Sequence, residues 1–532
     1  MARSFLLGLV YAALFALSVR AFGLTESGNN YVVDTSGGLV FTVDKTSGDI
    51  TSMKFNGIEA QDSSKHSHIA SGIGASVILT DRTTQTRTGH NDNYIKITCT
   101  ASGIVQYYVA KYNDPSIHMA TYTSSEPSVG ELRFIARLKK SALPNGYAVS
   151  EMEGGTAIEG SDVFLVNGQT RSKFYSSRQH IDDQVHGVTG SNIGAFMIIP
   201  GTGYEGSSGG PFFRDINNQG GSQQELYFYM NSGHTQTESY RMGLHGPYAL
   251  TFTTGSTPSG DLDTSFWEGI GDVQGLVTQA QRGRVTGKAS GYASGQAEYI
   301  VIGFANSDAQ YWVRARSSDG RFTSPYMKPG TYTMTLYEVE LAVASQSVTV
   351  SAGGLATSNI ASTIAVSGWI AIWQIGEYDG TPRGFLNAEY VILLMVGPSD
   401  NRMHDWVRDY TVSTNNIYYF PMALFKDVGA TTIRFSLQSG QGGARTLEIA
   451  TTLAFAGGRP TVQVNDWSGK APSAPNQPDS RGVTRGTWRG NVTDGVLHTG
   501  NTQNTITINV ISGSSGSQFL SPNFVFDMVR LY

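Results

Sequence analysis

The chain has 532 residues, a formal net charge of −5 and a sequence pI near 6.1, which excludes a strongly basic surface for nucleic acid or for anionic membranes. It contains 63 glycines where average usage gives about 37, and it lacks long runs of helix-forming residues, so the composition indicates an all-β protein. The single cysteine, Cys99, excludes an intrachain disulfide, and stability must therefore come from large buried cores.

The first residues of the chain have the pattern of a secretory signal peptide. Arg3 supplies a positive start, residues 5–17 form a short apolar stretch, and residues 19–21 end in a small residue before Phe22. No later segment reaches the roughly 18 apolar residues that a membrane-spanning helix needs. We therefore expect residues 1–21 to be removed and the protein to be exported, with room for roughly two to four domains in the mature chain.

Short alternating segments separated by turn residues fill the N-terminal half. Residues 38–44 and 104–109 alternate along the chain, and glycine, asparagine and aspartate punctuate the intervals, which is typical of a β-sandwich. A further alternating run, residues 94–99, contains Cys99. We expect this cysteine to be a small core or half-buried residue rather than a reactive thiol.

The segment 131–138 predicts a strand with two different faces. Alternation sends every second residue into the core, namely Leu132, Phe134, Ala136 and Leu138. The opposite face carries Glu131, Arg133, Ile135 and Arg137. Two arginines on one sheet face repel each other unless they are solvated or meet an anion, and the planar arginine fork suits a carboxylate. The pattern indicates either an anion-binding face or a solvated outer face of a sheet.

A hairpin carries a similar cationic signal. Asn167-Gly168 is a strong hairpin turn signal because both central turn residues need positive φ, and residues 170–175 follow it as a strand. Arg171 and Lys173 then share a face, and a neighbouring cation disfavours the protonated lysine. A lysine made neutral in this way is a competent general base, whereas the alternative is an ordinary solvated surface lysine.

A polar aromatic ladder leads into a histidine at residues 226–234. As a strand, this segment places Tyr227, Tyr229 and Asn231 on one face and Phe228 and Met230 on the other. Ser232-Gly233 ends the strand and presents His234. Such a face is typical of the floor and wall of a sugar site, and the alternative is an edge strand with surface tyrosines.

Turn residues divide the second half of the chain. Residues 283–334 carry Pro-Gly turns between β-branched runs and favour a small seven-stranded sandwich, for which residues 350–354 form an exit linker. From about Gly368 a third unit rich in short strands runs to Tyr532. Its sequon at Asn491 predicts a glycosylated surface loop. We expect its tryptophans to lie mostly in the core, with one or two available for sugar stacking: Trp369, Trp373, Trp406, Trp467 and Trp488.

Several longer motifs resemble those of one known family. They include RSKFYSS at residues 171–177 and LYFYMNSGH at residues 226–234. Further matching segments lie at residues 22–25, 130–138, 154–162, 209–212, 246–248 and 519–524. Together they resemble the fungal rhamnogalacturonan endolyases of polysaccharide lyase family 4 over essentially the whole mature chain, and their length makes the resemblance specific.

The resemblance implies an all-β protein of three domains. The family has an N-terminal β-super-sandwich of the galactose-mutarotase type, a fibronectin-type-III-like middle domain and a C-terminal jelly roll that resembles carbohydrate-binding modules. The boundaries drawn from the residues agree with that layout: a catalytic domain at 22–280, a middle domain at 281–355 and a C-terminal domain at 364–532.

The resemblance also implies which residues carry the chemistry. The family's catalytic lysine and histidine match Lys173 and His234. Its substrate-binding residues match Arg133, Arg137, Tyr227 and Tyr229, and the tyrosines position the sugar. The chain departs from some relatives in having Gly48 where a partner for Cys99 is expected, which puts a family disulfide in doubt.

The implied reaction is β-elimination on rhamnogalacturonan I, the alternating rhamnose–galacturonate backbone of pectin. The C5 proton of galacturonate is only weakly acidic, so the enzyme must neutralise the carboxylate and stabilise the enolate-like intermediate. Arg133 and Arg137 supply this charge without a metal. Lys173 takes the proton, and His234 protonates or polarises the leaving oxygen.

Two other classes of function remain as alternatives. One is a non-catalytic carbohydrate-binding protein on the same scaffold. The other is a glycoside hydrolase, for which Asp182-Asp183 is a weak candidate because adjacent carboxylates on a strand face opposite ways. We expect His245 to brace a turn rather than take part in chemistry.

We expect no cofactor for catalysis. Jelly rolls of this type often hold a structural calcium ion, and Glu377, Asp379 and Asp527 are candidate ligands, although no tight acidic loop supports the site. The expected partner is plant cell-wall rhamnogalacturonan I, with no nucleic acid and no membrane. We expect an extracellular monomer.

Overall fold

The structure is a computed structural model that describes residues 22–69, 78–86, 93–126, 131–147, 151–159, 163–232, 238–364, 370–389, 397, 399–454, 457–474, 486–511 and 524–532. The expected signal peptide at residues 1–21, the candidate residue His234 and Trp369 lie outside these ranges. No helix within the described ranges has the length and hydropathy needed to cross a lipid bilayer.

The described part of the chain is built almost entirely from β-strands, which confirms the all-β class expected from composition. Short 3-10 turns connect some of the strands, at Lys173–Ser176, His180–Asp182, Ser265–Gly269, Gln279–Gln281, Ser294–Tyr299 and Ile417–Tyr419. Three groups of sheets follow one another along the chain, and each encloses a hydrophobic core of its own.

The N-terminal group contains the strands β1 (Gly23–Ser27), β2 (Asn30–Asp34), β3 (Leu39–Asp44), β4 (Ile50–Phe55), β5 (Ile58–Glu59), β6 (His68–Ile69), β7 (Ile78–Thr86), β8 (Asn93–Ala101), β9 (Ile104–Lys111), β10 (Ser116–Thr123), β11 (Leu132–Leu138), β12 (Thr156–Glu159), β13 (Val163–Val166), β14 (Gln169–Ser172), β15 (Arg178–Gln179), β16 (Val185–Gly190), β17 (Ile193–Ile198), β18 (Arg214–Asp215), β19 (Asn218–Gly220), β20 (Gln224–Asn231) and β21 (Gly243–Thr253). They form a five-stranded sheet β1-β2-β3-β4-β5, a seven-stranded sheet β16-β17-β21-β10-β9-β8-β7 and a four-stranded sheet β19-β20-β11-β6. Smaller sheets are β12-β13-β14 and β15-β18.

The three larger sheets of this group share one core. Phe41 of β3, Tyr248 of β21 and Phe134 of β11 are all nearly fully buried in it. The ring of Tyr248 lies 4.7 Å from that of Phe228 in β20 and 6.0 Å from that of Phe134. Because burial of such a side chain stabilises a fold by about 1.5–3 kcal/mol, this packing fixes which face of β11 and β20 points inward.

Cys99 belongs to the same core. It lies in β8, is 1% exposed, and burial raises the pKa of its thiol to about 12. The thiolate is the nucleophilic form, so this cysteine is unreactive near neutral pH. The expectation of a core residue rather than a reactive thiol is confirmed.

The middle group contains β22 (Arg284–Ser290), β23 (Ile300–Ala305), β24 (Gln310–Arg314), β25 (Arg321–Thr323), β26 (Gly330–Glu338), β27 (Leu341–Val350), β28 (Leu355–Thr357) and β29 (Ile360–Ala361). They form two sheets, β24-β23-β26-β27 and β25-β22-β28 with β29 also paired to β22. Residues 351–354, expected within an exit linker, instead form a turn into β28, which pairs in parallel with the first strand of this group. The glycine-rich composition of this segment therefore marks a tight turn inside the sandwich and not its end.

The C-terminal group contains β30 (Trp373–Gly376), β31 (Asp409–Thr411), β32 (Ala423–Leu424), β33 (Thr431–Ser436), β34 (Arg445–Ala454), β35 (Arg459–Val464), β36 (Trp467–Ser468), β37 (Gly486–Val492), β38 (Gln503–Ile511) and β39 (Phe524–Leu531). Its two five-stranded sheets are β30-β39-β34-β37, with β32 also paired to β39, and β31-β33-β38-β35-β36. Trp373, Trp406 and Trp488 are buried in the core between them, as expected, and the half-buried Trp467 packs against that core.

The sequon residue Asn491 is exposed, as a glycosylation site requires, but it is not in a loop. It lies in β37, an edge strand that pairs only with β34 among the described strands. Alternation along β37 buries Trp488, Gly490 and Val492 and turns Asn491 outward. The sequon therefore marks the exposed face of an edge strand, and glycosylation at this position stays a prediction.

A buried ionic cluster joins the N-terminal and middle groups. Glu205, which is 2% exposed, receives hydrogen bonds from Arg282 at 2.6 and 3.0 Å and from the Tyr311 hydroxyl at 2.7 Å. The Lys328 ammonium lies 3.2 Å from the same carboxylate. Burial by itself raises the pKa of Glu205, but these partners outweigh it and hold the pKa below its usual range. The cluster is therefore ionised and fixes the orientation of the two groups.

Candidate active site

The outward face of the four-stranded sheet carries the predicted substrate-binding residues. β11 and β20 are antiparallel, with Arg133 opposite Tyr229, Ile135 opposite Tyr227 and Arg137 opposite Glu225. Directly opposed residues point to the same face of a sheet. The structure therefore brings together Arg133, Arg137, Tyr227 and Tyr229 as one patch.

This patch is not an open outer surface. Ile135 is 1% exposed, Tyr227 5% and Tyr229 7%, and they pack with Val163 and Phe174 in a small separate core. β20 also lies between β19 and β11, so it is not an edge strand. The two alternatives, a solvated outer face and an edge strand with surface tyrosines, are therefore wrong, because the β13–β14 hairpin and its following turn cover the sheet.

Arg133 is held by phenols and by one carboxylate. Its Nη1 donates a hydrogen bond to the Tyr229 hydroxyl, and its Nε lies 2.8 Å from Glu131 Oε1. The guanidinium carbon is 5.5 and 5.2 Å from the ring centroids of Tyr227 and Tyr229, within cation–π range. Burial by itself lowers the pKa of Arg133, but Tyr229, Glu131 and Tyr227 raise it overall. Arg133 is a permanent cation with an oriented fork.

Arg137 is paired with a carboxylate that the sequence analysis did not select. Its Nε donates to Glu225 Oε1 at 3.1 Å, and its Nη1 is 3.2 Å from His68 Nε2. The Tyr227 hydroxyl donates to Glu225 Oε2 at 2.5 Å. Burial by itself raises the pKa of Glu225, but Tyr227, Gln223 and Arg137 outweigh it and hold the pKa below its usual range. The carboxylate is therefore ionised. The charge of Arg137 is thus largely balanced within the sheet.

Lys173 lies at the end of the predicted hairpin. Asn167 and Gly168 have φ of 51° and 77°, the left-handed values that such a turn needs, and they connect β13 to β14. β14 ends at Ser172, and Lys173 begins a 3-10 turn in which the Ser172 hydroxyl accepts a hydrogen bond from the Phe174 amide at 3.1 Å. The fully buried Phe174 anchors this turn beneath the site tyrosines. Lys173 is half-buried, with Nζ 5.5 Å from the centroid of the Phe164 ring.

The expected influence of Arg171 on Lys173 is not supported by the geometry. The strand ends before Lys173, so the alternation that placed both cations on one face does not continue. Arg171 instead lies 3.3 Å from Asp400 Oδ1 and donates to Gln169 Oε1 at 2.7 Å. The charge of Arg171 is therefore balanced by a carboxylate of the C-terminal group.

The candidate acid His234 lies outside the described residues. The strand that leads to it ends at Asn231, which is 2% exposed. Further along the chain, the carboxylate of Glu238 pairs with Arg241 at 2.8 Å.

A buried polar network supports the tyrosine strand from below, and the sequence analysis missed it. His186 Nε2 donates to the Tyr227 carbonyl at 2.8 Å, and His186 Nδ1 lies 2.9 Å from Asp183 Oδ1. Asp183 also accepts from the Tyr204 hydroxyl at 2.6 Å and from Asn217 Nδ2 at 2.7 Å. Burial raises the pKa of Asp183, but His186 and Tyr204 outweigh it and lower the pKa below its usual range. The network fixes the backbone at Tyr227.

Asp182 and Asp183 do not form the pair of catalytic carboxylates that the glycoside hydrolase alternative requires. Asp182 is exposed and pairs with Arg314 of the middle group at 2.6 Å, whereas Asp183 is buried in the network below the tyrosines. The two carboxylates thus lie in different parts of the structure and do not flank one common site, as the two acids of a glycosidase must.

His245, expected to brace a turn, lies instead within β21 beside a register shift. It is 1% exposed, and burial, together with the charge of Lys328, lowers its pKa to about 3. A Cβ on Gly206 would lie 2.7 Å from the His245 ring, so this close packing requires a glycine there. His245 is a neutral core residue.

The candidate calcium ligands serve as loop acceptors. Asp527 accepts hydrogen bonds from the amides of Asp379 and Gly380 at 3.2 and 3.0 Å, and Asp379 accepts from Thr381. Among the residues that the structure describes, no group of three or more His, Cys, Asp or Glu side chains has the arrangement of a metal site. The calcium hypothesis stays a prediction.

Comparison with known families follows the same three-part division. The family model described as rhamnogalacturonan lyase B, N-terminal, matches residues 22–275. Models of polysaccharide lyase family 4 domain II and domain III match residues 281–358 and 371–531. The N-terminal sandwich with its arginine–tyrosine face thus has the sequence pattern of a polysaccharide lyase.

Similar proteins extend over almost the entire chain. Rhamnogalacturonate lyase A of Emericella nidulans is 52% identical over 526 residues, which are 96% of each chain. Rhamnogalacturonate lyase A of Aspergillus aculeatus and a probable rhamnogalacturonate lyase A of Aspergillus fumigatus are each also 52% identical, over 527 and 525 residues. The chain belongs to the rhamnogalacturonate lyases of polysaccharide lyase family 4, and the resemblance seen in the motifs is confirmed.

Sequence reasoning identified the face but not its supporting residues. Glu225 lies two residues before Tyr227 in the same strand, so alternation was sufficient to place it on the site face. The partners Asp183, His186 and Asn217 come from different elements, and no spacing in the sequence indicates their contact.

Proposed function

We propose that this protein is a secreted rhamnogalacturonan endolyase. It cleaves the rhamnose-(1→4)-galacturonate bond of rhamnogalacturonan I by β-elimination and leaves an unsaturated galacturonate at the new non-reducing end. The observation that carries this proposal is the 52% identity to rhamnogalacturonate lyases over 96% of the chain. We further propose export through residues 1–21 and action as a monomer.

The arginine–tyrosine face suits the first requirement of this chemistry, which is neutralisation of the galacturonate carboxylate. Among the described residues, Nη2 of Arg133 and Nη2 of Arg137 donate no hydrogen bond, whereas Nη1 of Arg133 and both Nε and Nη1 of Arg137 do. Each guanidinium is therefore oriented and keeps a donor for a ligand. Arg133 is paired with Glu131 and Arg137 with Glu225, so we assign carboxylate stabilisation to both guanidinium groups through these remaining donors.

Proton transfer is assigned to Lys173 and His234. Lys173 accepts the C5 proton as a neutral amine from a half-buried position in which its Nζ lies 5.5 Å from the Phe164 ring centroid. His234 donates a proton to the rhamnose-side oxygen as the C4–O bond breaks. Tyr227 and Tyr229 position the sugar through buried phenols whose pKa values burial raises well above the ordinary value.

No metal is assigned to this reaction, because the guanidinium groups supply the positive charge at the carboxylate. Activity that persists after exhaustive chelation, with the protein still folded, is the expected result. Loss that only added calcium restores would show that a metal takes part.

A single assay tests the proposed function against its alternatives. Incubation with rhamnogalacturonan is followed by ultraviolet absorbance and by the number of reducing ends. A lyase raises both, since elimination creates a conjugated unsaturated uronate. Reducing ends without absorbance would indicate a hydrolase, and neither signal would indicate the non-catalytic carbohydrate-binding alternative.

A further inference from the structure

A large cavity lies where the three sheet groups meet. Its volume is about 950 Å³, which is the size of an oligosaccharide-binding or cofactor-binding cleft. The N-terminal group contributes residues 175–179 and Arg214, the middle group contributes Tyr299, and the C-terminal group contributes residues 380–385 and Tyr418. Of the residues assigned above to the elimination reaction, those that the structure describes do not line this cavity.

The cavity adjoins the arginine–tyrosine face through a two-stranded ribbon, β15 with β18. In this ribbon Arg178 is paired with Asp215. Arg214 lines the cavity, whereas Asp215 lines a small void beside the two site tyrosines, and Arg178 lines both. The ribbon therefore contacts both the cavity and the underside of the two site tyrosines.

Guanidinium groups without carboxylate partners face the cavity. Among the described residues, three arginines of the lining form no ion pair: Arg178, Arg214 and Arg383. Arg214 is half-buried at the base of the wall; burial lowers its pKa, while the charges of Glu340 and Asp182 act in the opposite direction. A partly desolvated arginine without an ion-pair partner is suited to a carboxylate ligand.

The lining carries four arginines against three carboxylates, so its net charge is slightly positive. Asp182 pairs with Arg314 at 2.6 Å, and Glu340 accepts a hydrogen bond from Gln179 Nε2 at 2.6 Å. Glu389 is exposed.

Exposed aromatic side chains stand at the mouth of the same cavity. Tyr418 is 63% exposed and Tyr299 is 41% exposed, and they come from different sheet groups. The Arg383 guanidinium carbon lies 4.7 Å from the centroid of the Tyr299 ring and orients it. Large aromatic rings held open to solvent beside unpaired arginines form a surface suited to sugars that carry carboxylates.

We propose that this cavity is a second subsite for the polysaccharide, in which Arg214 binds the carboxylate of a galacturonate remote from the cleaved bond and Tyr418 and Tyr299 stack on neighbouring sugars. The identity of the ligand rests on the proposed lyase function. The subsite spans all three sheet groups, so it gives the C-terminal group a direct part in holding a long substrate.

Chain-length dependence tests the subsite. kcat/KM is measured with a long rhamnogalacturonan oligomer and with the shortest oligomer that is cleaved, and the ratio of the two values is compared between proteins. Tyr418→Ala and Arg214→Gln are each expected to lower this ratio about tenfold, since they remove contacts that only the long substrate makes. Tyr419→Ala is the matched control, because Tyr419 is 50% exposed and adjacent but does not line the cavity.

The charge of the ligand is tested by equilibrium binding. Calorimetric titrations use Lys173→Ala as the background, which keeps the oligomer intact, with and without Arg214→Gln. The added substitution is expected to weaken binding of the uronate oligomer about tenfold and to leave binding of the carboxyl-reduced oligomer within about twofold. Tyr418 is exposed, so Tyr418→Ala remains informative if Arg214→Gln proves unstable.

Several outcomes overturn the subsite. One is a ratio of kcat/KM values that is unchanged in both Tyr418→Ala and Arg214→Gln. Another is an equally large fall of this ratio in Tyr419→Ala. A third is that Arg214→Gln weakens binding of the uronate oligomer and of the carboxyl-reduced oligomer equally. Failure of the lyase proposal is distinguishable from these, because no protein would then generate unsaturated uronate. The titrations would still report whether the cavity binds a uronate oligomer.

Discussion

At the scale of single residues, the candidate site places cations against neutral phenols and not against bulk water. Burial raises the pKa values of Tyr227 and Tyr229 well above the ordinary tyrosine value, so both remain protonated at neutral pH. Arg133 lies over both rings and donates to one hydroxyl, which fixes its plane, while Glu131 balances part of its charge. Such a preoriented cation stabilises developing negative charge without reorganising.

Replacement of Arg133 tests this role. Arg133→Ala is expected to cost on the order of 2–5 kcal/mol of transition-state stabilisation, and Arg133→Lys less, because lysine keeps the charge but loses the fork. The loss should appear in kcat as well as in KM, since the carboxylate needs more stabilisation as the C5 carbanion forms. Steady-state kinetics on rhamnogalacturonan oligomers measure both.

The same substitution at Arg137 serves as the comparison. Glu225 already balances Arg137, so Arg137→Ala leaves a buried carboxylate and is expected to lower stability as well as activity. Near-normal kcat/KM in Arg133→Ala would show that Arg133 does not have the role assigned to it.

Lys173 and His234 are expected to be essential for turnover. Lys173→Ala and His234→Ala should each lower kcat by about 10²–10⁴-fold, the usual contribution of a proton-transfer group, while substrate binding persists. Lys54→Ala, at an exposed position of β4, is the control. A loss below about tenfold in either variant would contradict the role assigned to it.

At the scale of secondary-structure elements, the hairpin that carries Lys173 is held by the C-terminal sheet group. The Thr170 amide donates to Ser399 Oγ at 2.9 Å, and Arg171 lies 3.3 Å from Asp400. Asp400 is itself bound by Arg402, whose Nη1 reaches Glu151 at 3.1 Å. The hairpin therefore depends on contacts about 230 residues away in sequence for its position.

Asp400→Ala tests this dependence. Removal of the carboxylate leaves Arg171 without its counterion and Arg402 paired only with Glu151, so the hairpin should shift and kcat should fall, by about tenfold if Lys173 moves out of reach. Asp409→Ala is the matched control, because Asp409 forms an exposed ion pair with Arg434 in the same sheet group. Equal kcat in the two variants, with equal melting temperatures, would show that the contact does not position Lys173.

At the scale of the whole molecule, the ionic cluster at Glu205 links the stability of the protein to pH. The folded-state pKa of Glu205 lies below its ordinary value of 4.5. Its ionised form therefore stabilises the fold fully above that ordinary value, and the contribution is lost as the pH falls through the folded pKa. Acid should loosen the junction of the N-terminal and middle groups first.

Glu205→Gln is expected to lower the free energy of unfolding by about 3–5 kcal/mol at pH 7, because it leaves buried cations without a counterion. Asp182→Asn is the control, since it breaks an exposed ion pair between the same two groups that is worth about 0–1 kcal/mol. Denaturant unfolding at several pH values measures both. Glu205→Gln should lose less of its free energy of unfolding, relative to the unchanged protein, as the pH falls. A loss that stays the same in acid would show that Glu205 is not ionised as assigned.

Much of this architecture is determined by local sequence patterns. Alternation alone fixed the two faces of β11 and β20, because the side-chain period of a strand is two and one face had to be buried. The Asn167-Gly168 turn was equally local, since few residues tolerate its positive φ values. The family motifs are continuous in the sequence, so the sequence was sufficient to identify the family and to name candidate residues.

Only the tertiary structure decided what surrounds those residues. Arg171 was expected to act on Lys173, but the chain turns at Ser172 and the arginine meets Asp400 of another sheet group. The pairing of Arg137 with Glu225, the network below Tyr227 and the cavity beside Arg214 join residues from separate elements. Charge balance and burial depend on such long-range contacts, and a linear spacing carries no information about them.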